Sequence, residues 1–172
     1  DKKLQQQLSP LKDSPHLLAW SIEAKSREEL ANAIERYRFL RKEDPYHPVL
    51  FFQPLDVDLS ASASGADLLG GLSGESDASV ESLLHYFEEC STVSRAQVKG
   101  VVAALPALAD KKLQCVFYGA IASGANGLLM HWKGSEKARH LIKDTSQKLR
   151  VLLGDRKSIP VFSDTYPFHA AR

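Results

Sequence analysis

Neither sign of charge is in excess in this chain: 22 basic residues face 21 acidic ones, for a formal net charge of +1. Nucleic acid and anionic membrane surfaces are recognised by clustered positive charge, so no nucleic-acid partner is expected. No apolar run approaches the roughly 20 residues that span a bilayer, so no membrane span is expected either. Cysteine is nearly absent. Cys90 and Cys115 are too few to form a disulfide scaffold. Each falls in an expected helix beside apolar residues, and both are read as buried free thiols. No H-x-x-x-H or C-x-x-C spacing occurs, so no metal is expected. Gly65, Gly70, Gly71 and Gly74 do not compose G-x-G-x-x-G, and no Walker motif is present, so no cofactor is expected. The sequence opens at Asp1 without a charged-then-apolar signal segment, which reads as a processed, excised or partly represented chain.

What the 172 residues do contain, 44% hydrophobic and 25% charged, is the make-up of a globular domain with a real core. Short apolar runs alternate with helical stripes. A helix end over Leu4 to Asp13 is expected to break at Pro10. The run from Leu17 to Ile22 suits a strand buried on both faces. Ser26 and Glu29 have capping-box spacing, ahead of Leu30, Ala33, Ile34, Tyr37 and Leu40 at helical intervals. Val49 to Phe52 is the second strand, and Ser60 to Gly65 a loop or degenerate helix. Ala66 to Leu72 is the third strand. Val80, Leu83, Leu84 and Phe87 form the next helical stripe. Val98 to Leu105 is the fourth strand, and Leu113 to Ser123 is a helix rich in small residues and capped by Gly124. Gly127 to Trp132 is the fifth strand, and a last helix ends at Gly154.

Five strand–helix alternations with connections too long for hairpins specify a parallel sheet with right-handed crossovers. The class is α/β. Two architectures satisfy the pattern: an open doubly wound sheet, which needs nothing further, or part of a barrel. A closed eight-stranded barrel takes roughly 250 residues, so this chain would supply only part of one.

Three segments bear on that choice. Ser14-Pro15-His16-Leu17-Leu18-Ala19-Trp20 resembles the "HPALLAW" lead into the fourth strand of many barrel glycoside hydrolases. Asp44-Pro45-Tyr46-His47-Pro48-Val49 is similar to their "DPYHPV" lead into the fifth strand. Gly124-Ala125-Asn126-Gly127-Leu128-Leu129-Met130-His131-Trp132 is similar to the "HGAKGIFYW" passage into the eighth. The resemblance implies the C-terminal part of a glycoside-hydrolase-like (β/α)8 barrel, strands four to eight, over residues 1–160. Residues 161–172 would then be a linker or the first strand of a following domain. The implied partners are the remaining barrel strands, from the same or another chain, and a carbohydrate. Location outside the cytoplasm is implied by the resemblance alone.

Most such enzymes place two carboxylates about the glycosidic bond, at the C-terminal ends of strands. The family's fourth strand continues as "AWYLADEP", with the Glu as acid/base. Here Trp20 matches the Trp, but Lys25 occupies the Glu position and Ser26 that of the Pro. Strand alternation sets Glu23 on the same side as Lys25, about 6.6 Å lower. Glu23 either serves as the acid toward a deeply seated substrate or pairs with Lys25 to close the strand end. The run Val101 to Leu108 carries no acid where the family's nucleophile stands, and Asp110 reads as a helix cap. Trp132 and His131 end the eighth strand, where a ring face would stack on a sugar. Glu75 and Asp77 follow the sixth strand at the same rim, either facing a substrate or solvated, with Asp77 as a helix N-cap. Asp56 and Asp58 follow the fifth. His47, ahead of its strand, belongs to the opposite end and reads as structural, as does Trp20 in the core. The resulting expectation is a barrel module without catalysis that binds carbohydrate or serves structure. An active hydrolase using Glu23, or a structural five-stranded α/β subunit, are the alternatives.

Overall fold

The computed structural model describes residues 2–73, 78–105, 110–130 and 136–153. Five strands, β1 Trp20–Glu23, β2 Val49–Gln53, β3 Leu68–Leu72, β4 Gly100–Leu105 and β5 Gly127–Met130, form one all-parallel sheet. Helices α1 Lys2–Lys12, α2 Leu30–Glu43, α3 Leu59–Ala63, α4 Val80–Gln97, α5 Asp110–Ala122 and α6 Glu136–Leu153 alternate with them. The spatial order is β1-β2-β3-β4-β5, the chain order itself. A doubly wound sheet would reverse at a switch point. The order seen here is that of consecutive barrel strands.

Crossovers of one hand, all stepping in one direction, put every connecting helix on the same face of the sheet. The core lies there. Ile22, Val49, Phe51, Leu69, Val101 and Ala103 from the strands pack with Leu83, Phe87 and Cys90 of α4 and with Val116 and Ala120 of α5. Phe51, Phe87 and Leu69 are at most 2% exposed, and full burial of each contributes about 1.5–3 kcal/mol. Cross-strand partners in a parallel sheet share a side, so the pairings Ser21–Leu50, Glu23–Phe52 and Ala104–Leu129 mark the other face. Leu50 and Ala104 are buried there, whereas Phe52, Leu68, Val102 and Leu129 are half-buried. Among the described residues, α2, α3, α4 and α5 pack on the first face, and this second face is largely apolar.

A pair of glycines lets β3 fit between its neighbours. Leu50 to Phe52 on β2 faces Leu68 to Gly71 on β3, one residue longer. The surplus is absorbed at Gly70, whose φ of +99° strains any residue with a Cβ. At Gly71 a Cβ would stand 2.2 Å from the Phe51 carbonyl oxygen.

Several boundaries differ from those expected. Helix α1 runs through Pro10, because Pro10 lies on an exposed side two residues before the helix ends. Strand β1 starts at Trp20 and not Leu17: the Leu17 N–H closes a turn on the Ser14 carbonyl (3.1 Å), leaving Leu18 66% exposed. The first residues expected in β4 belong elsewhere, since Val98 ends α4 in the left-handed region at φ 54°. At α2 the capping box is displaced. Ser26 makes no side-chain cap, a 3-10 turn over Arg27–Glu29 intervenes, and the Glu29 carboxylate accepts the Lys25 N–H at 3.0 Å. Ser60 to Gly65 is largely α3, a short helix capped by Asp58, and α4 is capped by Ser79. Cys90 is buried as expected, but Cys115 is exposed because it sits on the outer side of α5.

Candidate functional site

The C-terminal ends of the strands form the rim where the sequence places its chemistry. Along β1 and the following residues, exposure alternates: Ile22 buried, Glu23 exposed, Ala24 buried, Lys25 exposed. Ala24 is held in the sheet by its N–H to the Phe52 carbonyl at 2.9 Å, so the alternation continues past the strand end. Glu23 and Lys25 therefore share the helix-free side. They form no ion pair with each other among the described residues. Lys25 lacks the burial that would let a lysine act as a general acid. Glu75, Asp77, His131 and Trp132 lie outside the described residues.

The end of β2 is organised by a residue the sequence reading passed over. Gln53 is 1% exposed and directed toward the helices. Its Nε2 donates to the Val57 carbonyl at 2.8 Å, and its Oε1 faces the Ser62 hydroxyl, which also lies 3.0 Å from the Leu59 carbonyl. Its own carbonyl accepts the Ser73 N–H at 3.0 Å. One buried amide thus ties the loop after β2 to α3 and to the end of β3. The signal for it is an amide directly after the four apolar residues Val49 to Phe52, since a buried polar group requires partners. The loop so fixed sets Asp56 and Asp58 beside α4, where they line a shallow groove with His85, Glu88 and Glu89.

The opposite end of the sheet holds a polar network centred on Asp44. Asp44 is 3% exposed. Its Oδ2 accepts from Trp20 Nε1 at 2.8 Å and lies 2.7 Å from His47 Nδ1, while Oδ1 accepts the N–H groups of Tyr46 (3.1 Å) and His47 (3.2 Å). Burial opposes ionisation, but these hydrogen bonds outweigh it and hold the carboxyl at about 2. The residues ahead of β1 and β2 are thereby fastened to one another. Two further leads repeat a single device. The Asp67 N–H donates to the Val49 carbonyl (3.0 Å), and its Oδ2 accepts the Val49 N–H (3.0 Å). The Asn126 N–H donates to the Val101 carbonyl (2.8 Å), and its Oδ1 accepts the Val101 N–H (3.1 Å). Both residues follow Gly-Ala, at Gly65-Ala66-Asp67 and Gly124-Ala125-Asn126, a repeat legible in the sequence. Burial and its hydrogen bond to Asp67 raise the pKa of the Tyr37 hydroxyl, which donates at 2.9 Å. Half-buried Trp20 and His47 both serve this network as partners of Asp44.

Hydrolysis of a glycoside needs two carboxyl groups, about 5–9.5 Å apart across the bond. The helix-free side of the described rim offers Glu23 and a cation, Lys25. Among the described residues no group of three or more His, Cys, Asp or Glu side chains is placed to hold a metal ion. No described helix is long and apolar enough to cross a membrane. Compared with known proteins, the sequence matches no family model, and no curated protein matches it at a significant level.

Proposed function

We propose that the chain supplies strands four to eight of a glycoside-hydrolase-like barrel, as its β1 to β5, and that this barrel has lost hydrolysis and retains a carbohydrate-binding rim. The observation that carries this reading is the pairing of a sequential, singly wound parallel sheet with Lys25 at the position where the resembled motif has its acid. The half-buried apolar face opposite the helices supports it, because parallel sheets occur almost only with both faces covered. In a barrel that face is the packed interior, and the strands that complete the barrel come from the same or another chain. Trp132 and His131, at the end of the family's eighth strand, are the residues proposed to meet the sugar.

The test uses the full chain with whatever strands complete it. Retention on insoluble polysaccharides, weakened at least tenfold by Trp132→Ala, with no release of chromophore from aryl glycosides, is the expected result. Chromophore release abolished by Glu23→Gln would move the assignment to an active hydrolase. Neither retention nor turnover would leave a structural role and sink the binding proposal.

A further inference from the structure

The leads into β3 and β5 share one design and differ in their last two residues. Gly65-Ala66-Asp67-Leu68 enters β3, and Gly124-Ala125-Asn126-Gly127 enters β5. In each, the third residue is fastened to the preceding strand by its own N–H and by its side-chain oxygen. Asp67 shows that a carboxylate serves in this lock, and Leu68 that a large residue can follow it. Nor does the fold require glycine at position 127. A Cβ there would meet only Val102 Cγ2, at an ordinary contact distance of 3.7 Å, and the backbone lies outside the left-handed region that Gly124 occupies at φ +99°. Conformation therefore accounts for Gly124 but not for the Asn126-Gly127 pair.

That pair has its own chemistry, and the surroundings of Asn126 favour it. Asn126 is exposed, and its Oδ1 accepts the Val101 N–H at 3.1 Å. A backbone donor on that oxygen draws charge from Cγ and stabilises the oxyanion that forms when Cγ is attacked. The attacking group is the next main-chain nitrogen, that of Gly127. Successive N–H groups of a strand point to opposite edges, and that of Asn126 points to β4, where it reaches the Val101 carbonyl at 2.8 Å. The Gly127 N–H therefore points to the outer edge of β5. There β5 ends the sheet, with no strand beside it among the described residues. The nitrogen is thus free of the β4 ladder, and no Cβ hinders its approach to Cγ.

From this geometry we infer that Asn126 is a site of spontaneous deamidation in the folded chain, and that one of its two products releases the register of β5. The Gly127 nitrogen yields its proton to water and bonds to Cγ. The Cγ–Nδ2 bond breaks, ammonia leaves and a cyclic imide remains, which a second step opens with one water. Opening at Cγ restores the main chain with an aspartate, the form that Asp67 carries in the same lock. Opening at the main-chain carbonyl carbon routes the backbone through the side chain and lengthens it by one methylene. The pairing from Val102–Gly127 to Leu105–Met130 then no longer fits the attachment at Val101. The inference needs only the lead and the edge of β5, so it does not depend on the proposed function.

The full chain is held at neutral pH and 37 °C for several weeks, native and in guanidinium chloride, and samples are mapped by peptide mass spectrometry. Isoaspartate is counted with its methyltransferase. Asn32, the one other asparagine of the sequence, lies inside α2 and serves as internal reference. The expected result is a one-dalton gain at Asn126, tenfold or more faster than at Asn32 and within about threefold of its own rate in denaturant. Gly127→Ala slows the gain tenfold or more and keeps the native urea midpoint. Asn126→Asp keeps that midpoint as well, whereas chains bearing isoaspartate unfold at lower urea. A native rate tenfold or more below the rate in denaturant would overturn the proposal, because the fold would then shield the pair. An undiminished rate in Gly127→Ala, or isoaspartate chains with the original midpoint, would do the same. Should Gly127→Ala fold poorly, the comparison of native and denatured rates on the unaltered chain still decides.

Discussion

Replacing Asp44 by Asn should destabilise the fold by about 2–4 kcal/mol at pH 7. The carboxylate takes two side-chain N–H donors on Oδ2 and two backbone N–H donors on Oδ1. An asparagine can keep the backbone pair, but its NH2 then confronts the Trp20 N–H, leaving a buried donor unsatisfied at a cost of about 1–3 kcal/mol. The ionisation gives a second measure of the same quantity. The carboxyl titrates near 2 in the fold against an ordinary 3.8, a gap equivalent to about 2.5 kcal/mol at 1.36 kcal/mol per decade. Because the folded pKa is the lower one, this stabilisation is complete above about pH 4 and is lost as pH falls from 3.8 toward 2. Urea unfolding of wild type and Asp44→Asn, followed by far-UV circular dichroism from pH 7 to pH 2.5, supplies the assay. The difference should stay constant to about pH 4.5 and shrink by a kilocalorie or more by pH 2.5. A cost under 1 kcal/mol at pH 7, or one independent of pH, would refute the argument that Asp44 acts as a charged anchor.

Two further outcomes follow from particular residues. Val98, 94% exposed and held at φ 54°, adopts a backbone that a β-branched residue resists, so Val98→Gly should stabilise the fold by about 1 kcal/mol in the same urea assay. Loss of stability would mean that the left-handed cap is not strained. Burial pushes the Cys90 thiol up to about 12 despite a hydrogen bond with Tyr86, whereas Cys115 is exposed. Ellman's reagent at pH 8 should therefore titrate one thiol quickly in the native chain and two in urea. Two fast native thiols would contradict the burial of Cys90.

Periodicity carried most of the fold. The stripe Leu83, Leu84, Phe87 and the run Val49 to Phe52 each had one reading, because length and spacing separate a helix from a buried strand. The boundaries that failed are those decided by a single hydrogen bond or dihedral. Leu17 and Leu18 have the composition of a strand, yet the turn bond from Leu17 to Ser14 removes them from the ladder. Val98 has the highest kind of strand propensity and ends a helix, because Gly100 is the first residue whose N–H reaches the Asp67 carbonyl (3.3 Å). At the rim, strand alternation alone sets Glu23 and Lys25 on one side. Whether they pair depends on side-chain reach, which spacing does not encode. Gln53 was passed over for a related reason: its partners Val57 and Ser62 are local in sequence, but only the short α3 brings them onto the end of β2.

The polar groups are divided between the two ends of the sheet in a way that bears on the proposed function. At the N-terminal ends, Asp44, Asp67 and Asn126 are each consumed by N–H groups of neighbouring strand leads, so these side chains lock register and have little capacity left for a ligand. At the C-terminal ends, Glu23 and Lys25 stand exposed on the helix-free side, while Asp56 is held by the Gln53 anchor on the helix side. The register-locking side chains thus fall at the end of the sheet opposite Glu23 and Lys25, the division that the proposed barrel reading expects.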